Sequence, residues 1–557
     1  MQISSSLAAG LLDDARSVAP IAIDAIGGEA VPVIDLGEHA IGSLLGGASR
    51  SKLDELLPDF LHSQRWFAGK GAVLDTARLG DSVAIPTAAG DGIAGHIAML
   101  DVRYADGTAP ERYAAALVAR PVTAELPEGT SVLARVHAAD GEFLLADSPT
   151  DAKLVDGIVH SMRGGTELEG AGARIAGQGG TALDDALTGM QSITVEPLSM
   201  HTSNTSVRVT GADGRREALK LVRRHDGVVE AGTPTRALDV WKGAYLTNEA
   251  GYRNTPAVLG SLDHYGSEGL PRTVAVLTDF VPNDGDGWAH ALDAAGDALG
   301  AARSGAAGTA GESIDAYAQV ARNHGRRLGE LHAAFAGGGA GSEFRGVTMG
   351  RDAIEARIAQ LRTDAAKTIE QLRRAGRTDA ADRIEAALPA QVDAVRAATR
   401  ELPPVDAIHT HGDFHLGQLL KTGDDVQIID LEGAPALPLA QRWERASALG
   451  DVARQRSSYE YAAHQALLEA AGGDVQVAAQ LRPVADRWAA QAKQSFLDGW
   501  LDATSGQGFR HARTELAPEL REAELANALY ETSYELGSRP DWVDIPLGRL
   551  ERLTSGG

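Results

Sequence analysis

Residues 411–433 read HGDFHLGQLLKTGDDVQIIDLEG, and the reading of the whole chain turns on them. A loop with apolar flanks carries Asp413 and, five residues on, Gln418. A short alternating segment, a Gly-Asp-Asp turn and a second apolar run (Val426, Ile428, Ile429) follow, a hairpin pattern that delivers Asp430 and Glu432 at its end. Such an arrangement brings a general-base candidate and several hard oxygen ligands into one cleft.

The spacing from Asp413 to Gln418 matches the H-R-D-x-x-x-x-N pattern of kinase catalytic loops, with Gln in place of Asn. An aspartate there need only accept a hydroxyl proton and align the oxygen for in-line attack. Gln418 is one methylene longer than Asn but still offers a carbonyl oxygen to Mg²⁺, Asp430 is a second ligand, and Glu432 stands beside them. His411 and His415 are read as orienting the loop rather than as a metal pair.

Working outward, residues 192–197, 206–210 and 217–222 alternate like antiparallel strands, and the last carries Lys220. A lone strand lysine usually faces solvent. Ahead of this catalytic loop, it can hold nucleotide phosphates while pairing with an acidic residue of the next helix, Asp239, Glu249 or, less well placed, Glu230. No G-x-G-x-x-G loop precedes it; the turn holds Ser203, Asn204 and Thr205, whose hydroxyls and backbone N–H groups can cradle phosphate. A helix from about residue 235 to 249, a strand over 273–277 and a connector at 278–282 follow, and beyond them almost everything is helical.

Composition sets the limits. At 557 residues with 44% hydrophobic content the chain is long enough for several cores, and no apolar run reaches transmembrane length. The first residues lack a basic lead into an apolar block, so no signal peptide is expected, and the compartment is expected to be cytoplasmic. The absence of cysteine removes disulfides, thiol nucleophiles and thiolate-metal sites. A formal charge of −24 argues against nucleic acid or an anionic membrane as partner. The expected partner is a small molecule, and the expected state a monomer or weak homo-oligomer.

The expected organisation is a variable extension at 1–50, an α+β cap domain at 51–185, a strand-rich kinase N-lobe at 186–283 and a helical C-lobe at 284–557. The glycine-rich stretch 164–180 is read as a domain-edge loop, and 352–402 as two long solvated helices packed together.

Several separated motifs, in order, resemble the aminoglycoside-phosphotransferase-like kinases and, more closely, the actinobacterial maltokinases. They are QRWFAGKG at 64–71, SNTSV at 203–207, DFVPNDGDGW at 279–288, LGELH at 328–332, HGDFHLGQ with IDLEG, and YETSYELGSRPDWVDIPL at 530–547. The resemblance implies an α+β, bilobal protein-kinase-like fold with an N-terminal cap domain, and ATP with Mg²⁺ as cofactors. It also implies that the hinge at Asp279, Phe280 and Val281 holds adenine, Lys220 the phosphates, and a C-lobe cleft the sugar facing Asp413.

The chain departs from the maltokinase pattern beside that cleft. Residues 430–435 read DLEGAP where maltokinases have Asp-Phe-Glu-Gly-Glu-Pro, and two arginines of the downstream basic stretch are Ala446 and Gly450, with Glu444 just before it. Farther on, Gln491, Gln494, Asp498 and Asp502 share one face of a helix with Trp488 and Trp500 near them. Either that face is simply solvated, or a tryptophan stacks on a pyranose ring while the amides and carboxylates take its hydroxyls. Fewer cations and more carboxylates (Glu444, Asp498, Asp502) suit an acceptor bearing an ammonium group. The expected reaction is phosphorylation of D-glucosamine at its 6-hydroxyl, as in the glucosamine kinase branch. The alternatives are maltose phosphorylated to its 1-phosphate, a larger polycationic aminoglycoside acceptor, and a non-catalytic nucleotide-binding scaffold.

Overall fold

The computed structural model describes residues 22–26, 29–47, 49–87, 94–190, 192–199, 204–226, 236–434 and 437–555. The chain divides into two compact units, Met1–Val229 with Leu259–Leu277, and Glu230–Val258 with Thr278–Gly557.

The first unit is built on two sheets. One contains β1 (Ala22–Ile26), β2 (Glu29–Asp35), β3 (Leu74–Ile85), β4 (Ala94–Tyr104), β5 (Glu111–Pro121), β6 (Ser131–Ala138) and β7 (Gly141–Asp147), in the order β1-β2-β6-β7-β5-β4-β3. The other contains β8 (Glu167–Glu169), β9 (Arg174–Gly177), β10 (Ile193–Ser199), β11 (Thr205–Gly211) and β12 (Arg216–Leu221). After β13 (Arg224–Asp226), β14 (Val258–Tyr265) and β15 (Pro271–Asp279) complete it in the order β10-β11-β12-β15-β14-β9-β8. The short β13 leaves this sheet and pairs with β5 of the first. Three helices serve the unit: α1 (Ser49–Ser63), α2 (Ala152–Ser161) and α3 (Thr181–Thr188).

Strand β4 shows why the two sheets form one body. Ile97 and Met99 enter a core shared with α2 and with Val207, Leu219 and Leu221 of the second sheet. Ala98 and Leu100 enter the core under α1, beside Leu53, Leu57 and Phe60. That is the period-two alternation of a strand buried on both faces. The glycine-rich stretch 164–180 corrects the sequence reading: it contains β8 and β9, not only loop. Its glycines permit backbone contact, since a Cβ on Gly170 would lie 2.3 Å from the Ser82 carbonyl oxygen.

The second unit is helical. It contains α4 (Leu238–Tyr245), which runs into a π-turn at Leu246–Ala250, then α5 (Gly287–Arg303), α6 (Ala307–Ala336), α7 (Arg351–Arg374) and α8 (Thr378–Arg400). Two small ladders follow, β16 (Val347–Thr348) with β17 (Asp406–Ala407), and the hairpin β18 (Leu419–Thr422) with β19 (Asp425–Ile428). The chain ends with α9 (Leu439–Trp443), α10 (Leu449–Ala471), α11 (Val475–Ala503), α12 (Ala517–Ser538) and α13 (Asp544–Thr554). Helices α6 and α11 meet backbone to backbone. A Cβ on Gly325 would fall 1.9 Å from the Phe496 carbonyl, and one on Gly499 2.0 Å from that of Arg322. Helices α7 and α8 bury Ile358, Leu361, Ile384 and Leu388 against Leu525 and Leu529 of α12, so the expected pair is a packing element. No helix among the described residues is long and apolar enough to cross a membrane.

Candidate active site

The hairpin is pinned before it delivers its carboxylates. Arg327 of α6 grips Asp425 with two guanidinium nitrogens, and the Ile428 N–H donates to the Asn254 carbonyl at 2.7 Å. The Gly423 turn has φ 61°, a conformation glycine adopts without strain. Asp430, just past β19, has φ 64° and is the one non-glycine residue with positive φ among the described residues. A side chain held in that sparsely populated region marks a position fixed by its surroundings.

Asp430 Oδ2 accepts a hydrogen bond from Gln418 Nε2 at 3.1 Å, so the amide and the strand-end carboxylate are brought together. Glu432 lies two residues farther on, half-buried. No cluster of three or more His, Cys, Asp or Glu side chains forms a protein-only metal cage among the described residues. Mg²⁺ usually takes one or two carboxylates and completes its shell with phosphate oxygens and water. Gln418, Asp430 and Glu432 supply hard oxygens of that kind.

Asp413 is half-buried on the preceding loop, whose backbone is held from below. Asp451, buried near the start of α10, accepts from the His411 N–H at 2.8 Å and the Gly412 N–H at 2.9 Å. Its remaining partner is His332 Nε2 at 3.0 Å. The other ring nitrogen of His332 accepts the indole N–H of Trp500 at 3.0 Å, which leaves Nε2 as the nitrogen that donates to Asp451. Burial alone would raise the Asp451 carboxyl, but the His332 hydrogen bond, with the neighbouring His411 ring and the backbone donor of Gly412, outweighs it and holds it below the usual aspartate range. His411 also belongs to this scaffold. Its Nδ1 accepts the Asp413 N–H at 3.3 Å, its Nε2 faces the Ile429 carbonyl at 2.8 Å, and burial lowers its pKa. The His415 side chain accepts from Gly417 N at 3.0 Å and caps the 3₁₀ turn Leu416–Gln418. Both histidines orient the loop.

Two groups absent from the sequence reading complete the support. Lys242 of α4 is buried and donates Nζ to the carbonyls of Thr410 at 2.8 Å and Leu431 at 3.1 Å, tying the start of the catalytic loop to the end of the hairpin. Burial lowers its pKa to about 8. Arg454 Nη1 stands 3.5 Å from Asp413 Oδ1, and its guanidinium carbon lies 4.9 Å from the centre of the Tyr530 ring.

Tyr530 opens a polar face of α12. Glu531 accepts from Ser457 Oγ at 2.7 Å and Asn527 Nδ2 at 2.9 Å, and burial raises its carboxyl pKa. Glu524 accepts from Arg456 Nε at 2.9 Å, and Glu535 from Tyr461 at 3.1 Å and Arg539 at 2.7 Å. The signal was present as Glu524, Asn527, Glu531 and Glu535, which share one helical face.

The expected sugar face on α11 is a correction. Trp500 is buried, with 0% of its surface exposed, and its indole serves His332; Trp488 is buried against Tyr317 at 4.6 Å. Neither can offer a ring face to a sugar. Gln491 donates to Asp315, Gln494 to Asp498 at 2.9 Å, Asp498 pairs with Arg513 and Asp502 with Arg322, a surface row with none of these contacts reaching Asp413. Glu444 is the exposed residue that caps the end of α9.

In the first unit, Lys220 is half-buried on β12 opposite Ser206 of β11. Ser203 and Glu230 lie outside the described residues. Asn204 Oδ1 accepts the Arg223 N–H at 3.1 Å. Thr205 is 1% exposed, and its hydroxyl accepts from Arg223 Nε at 3.0 Å; contrary to expectation, its side chain is turned inward. At the end of β15, the Asp279 N–H bonds the Ala257 carbonyl at 3.0 Å; Phe280 and Val281 follow, and Asn283 Nδ2 donates to the Val281 carbonyl at 2.9 Å. Asp239 lies in the first turn of α4 and Glu249 in the π-turn.

Residues 60–151 match the maltokinase N-terminal cap domain. A glucosamine kinase of Mycolicibacterium smegmatis is 28% identical over 307 residues, 55% of this chain and 69% of that protein. The chain resembles the glucosamine kinases. A second one, from Streptacidiphilus jiangxiensis, is 29% identical over 167 residues, 30% of this chain and 35% of that protein. A solved glucosamine kinase in complex with glucosamine, ADP and inorganic phosphate aligns with TM-score 0.58 at 20% identity, covering 89% of this chain and 98% of that one. Crystal form A of a glucosamine kinase aligns with TM-score 0.56 at 22% identity, covering 92% and 98%. The fold is the kinase-like fold of those proteins, with an N-terminal cap.

Proposed function

We propose that this chain transfers the γ-phosphoryl group of ATP to the 6-hydroxyl of D-glucosamine. The observation that carries the reading is Asp413, half-exposed on a loop whose backbone Asp451 and Lys242 lock, beside a hairpin that ends in Asp430 and Glu432. The acceptor hydroxyl gives its proton to the Asp413 carboxylate as its oxygen attacks the γ-phosphorus, and the bond to the β-phosphate oxygen breaks to release ADP. Arg454, 3.5 Å from Oδ1, orients the Asp413 carboxylate. Gln418, Asp430 and Glu432 would hold Mg²⁺, which neutralises phosphate charge when bound. Lys220, the backbone at Asn204 and the hinge at Asp279, Phe280 and Val281 would hold the nucleotide.

For the acceptor, the reading moves from α11 to the carboxylate face of α12. Glu531, which lies 3.4 Å from Arg549, and Glu444 are the carboxylates assigned to an ammonium group, Glu524 being taken by Arg456, and the likeness to glucosamine kinases supports the same acceptor. The cap-domain match favours maltose as the second reading. An ATP-coupled assay across glucosamine, glucose, N-acetylglucosamine and maltose decides between them. Preference for glucosamine is expected; equal turnover of glucose and glucosamine would sink the ammonium argument, and maltose as the best acceptor would replace the reading.

A further inference from the structure

The cap sheet has no part in the chemistry above, yet one buried side chain joins it to the nucleotide sheet. Arg223 follows Lys220 by three residues, in the short connection between β12 and β13, and is 1% exposed. Its NH1 and NH2 each lie 3.0 Å from an oxygen of Asp147, the last residue of β7, and NH1 also donates to the Ala114 carbonyl of β5 at 3.1 Å. Nε donates to Thr205 Oγ1 at 3.0 Å, while the Arg223 backbone N–H donates to Asn204 Oδ1 at 3.1 Å. Its carbonyl accepts the Ala114 N–H at 2.7 Å, and the guanidinium carbon stands 5.0 Å from the centre of the Trp66 ring. Asp147 Oδ1 takes a further bond from the Ala116 N–H at 2.8 Å.

Every edge of the guanidinium is therefore used. A lysine could satisfy the charge but not the fork and the Nε bond together. Both described residues at the start of β11 spend a side-chain oxygen on Arg223.

We propose that Arg223 is a positioning residue: it takes its place from Asp147 and Trp66 of the cap domain and sets Asn204 and Thr205 at the start of β11, the strand paired with Lys220. The cap domain then acts on ATP binding without touching ATP. This rests on the reading of Lys220 and Asn204 as nucleotide-binding.

The test uses the full chain with Mg²⁺ and the non-hydrolysable analogue AMP-PNP, titrated calorimetrically, beside acceptor kinetics and melting. Asp147→Asn keeps the shape of the partner but removes its charge. The dissociation constant for AMP-PNP is expected to rise about three- to tenfold, the worth of one buried hydrogen bond, with acceptor KM moving less than about twofold. Lys220→Met separates the two levels. If it leaves AMP-PNP binding unchanged, the nucleotide reading itself fails. If it weakens binding while Asp147→Asn does not, or if nucleotide and acceptor constants move in parallel, the arginine is structural glue and the positioning role is overturned. Should Asp147→Asn not fold, Arg223→Lys keeps the charge and loses the Nε bond to Thr205. The same selective loss of AMP-PNP affinity is expected there, and an unchanged affinity overturns the proposal.

Discussion

Helices α11 and α12 carry similar polar residues and use them in opposite ways. On α11 the polar row faces outward, and Asp498 and Asp502 close on Arg513 and Arg322 at the surface. On α12 the carboxylates face other protein and are paired there: Glu535, 1% exposed, with Arg539, Glu522, 5% exposed, with Arg357, and Glu531 with Ser457, Asn527 and, at 3.4 Å, Arg549. Carboxylates withdrawn from water must be paired, so an inward row is costly to keep without a use, whereas an outward row costs nothing. Polar residues at helical spacing therefore say little until their environment is known. What distinguishes α12 is that Tyr530 and Glu531 lie within the reach of Arg454, which touches Asp413.

The comparison is anchored on Asp413, and the largest effect is expected there. Asp413→Asn should lower kcat about 10²- to 10⁴-fold while far-UV circular dichroism and AMP-PNP affinity stay as they were. Substantial residual turnover would assign the base elsewhere. The inward row is tested next. Glu531→Gln keeps the Ser457 and Asn527 neighbours but removes the charge, and should raise KM for glucosamine about tenfold with KM for glucose unmoved. A parallel rise for both sugars would make α12 a structural helix like its neighbour.

Acid probes the scaffold that α11 does build. The folded pKa of Asp451, about 2, lies below its unfolded value. Its contribution to stability is thus complete above about pH 4, the ordinary aspartate range, and is lost as the pH falls through about 2. Thermal melts stepped through that window should show Asp451→Asn losing the acid-dependent part of the wild-type slope. The smallest effect belongs to the outer row. Asp498→Ala and Asp502→Ala should shift stability by no more than about 0.5 kcal/mol and leave acceptor KM within about twofold. A larger change in KM would return the sugar to α11.

Much of this was legible beforehand. The hairpin, the αL-prone Gly423, the strands around Lys220 and the long helices follow from local periodicity and turn chemistry, which a chain carries in its own order. The residues that failed are those whose role depends on a partner far away in sequence. Trp500 is an aromatic on a helix whether it stacks on a sugar or donates to His332, 168 residues earlier. Lys242 gives no sign that its two acceptors lie at Thr410 and Leu431. Thr205 looked like a phosphate contact because hydroxyl-rich turns often are, and only the fold shows its oxygen taken by Arg223. The stretch 164–180 was misjudged because glycine marks both loops and close-packed strands.

The indole of Trp500 has one further consequence. Its N–H ends on an imidazole nitrogen rather than an oxygen, and that imidazole carries the carboxylate beneath the catalytic loop. The proton on that indole is therefore a built-in gauge. In a chain with 7 tryptophans, its magnetic resonance frequency would report on the seating of a loop it never touches.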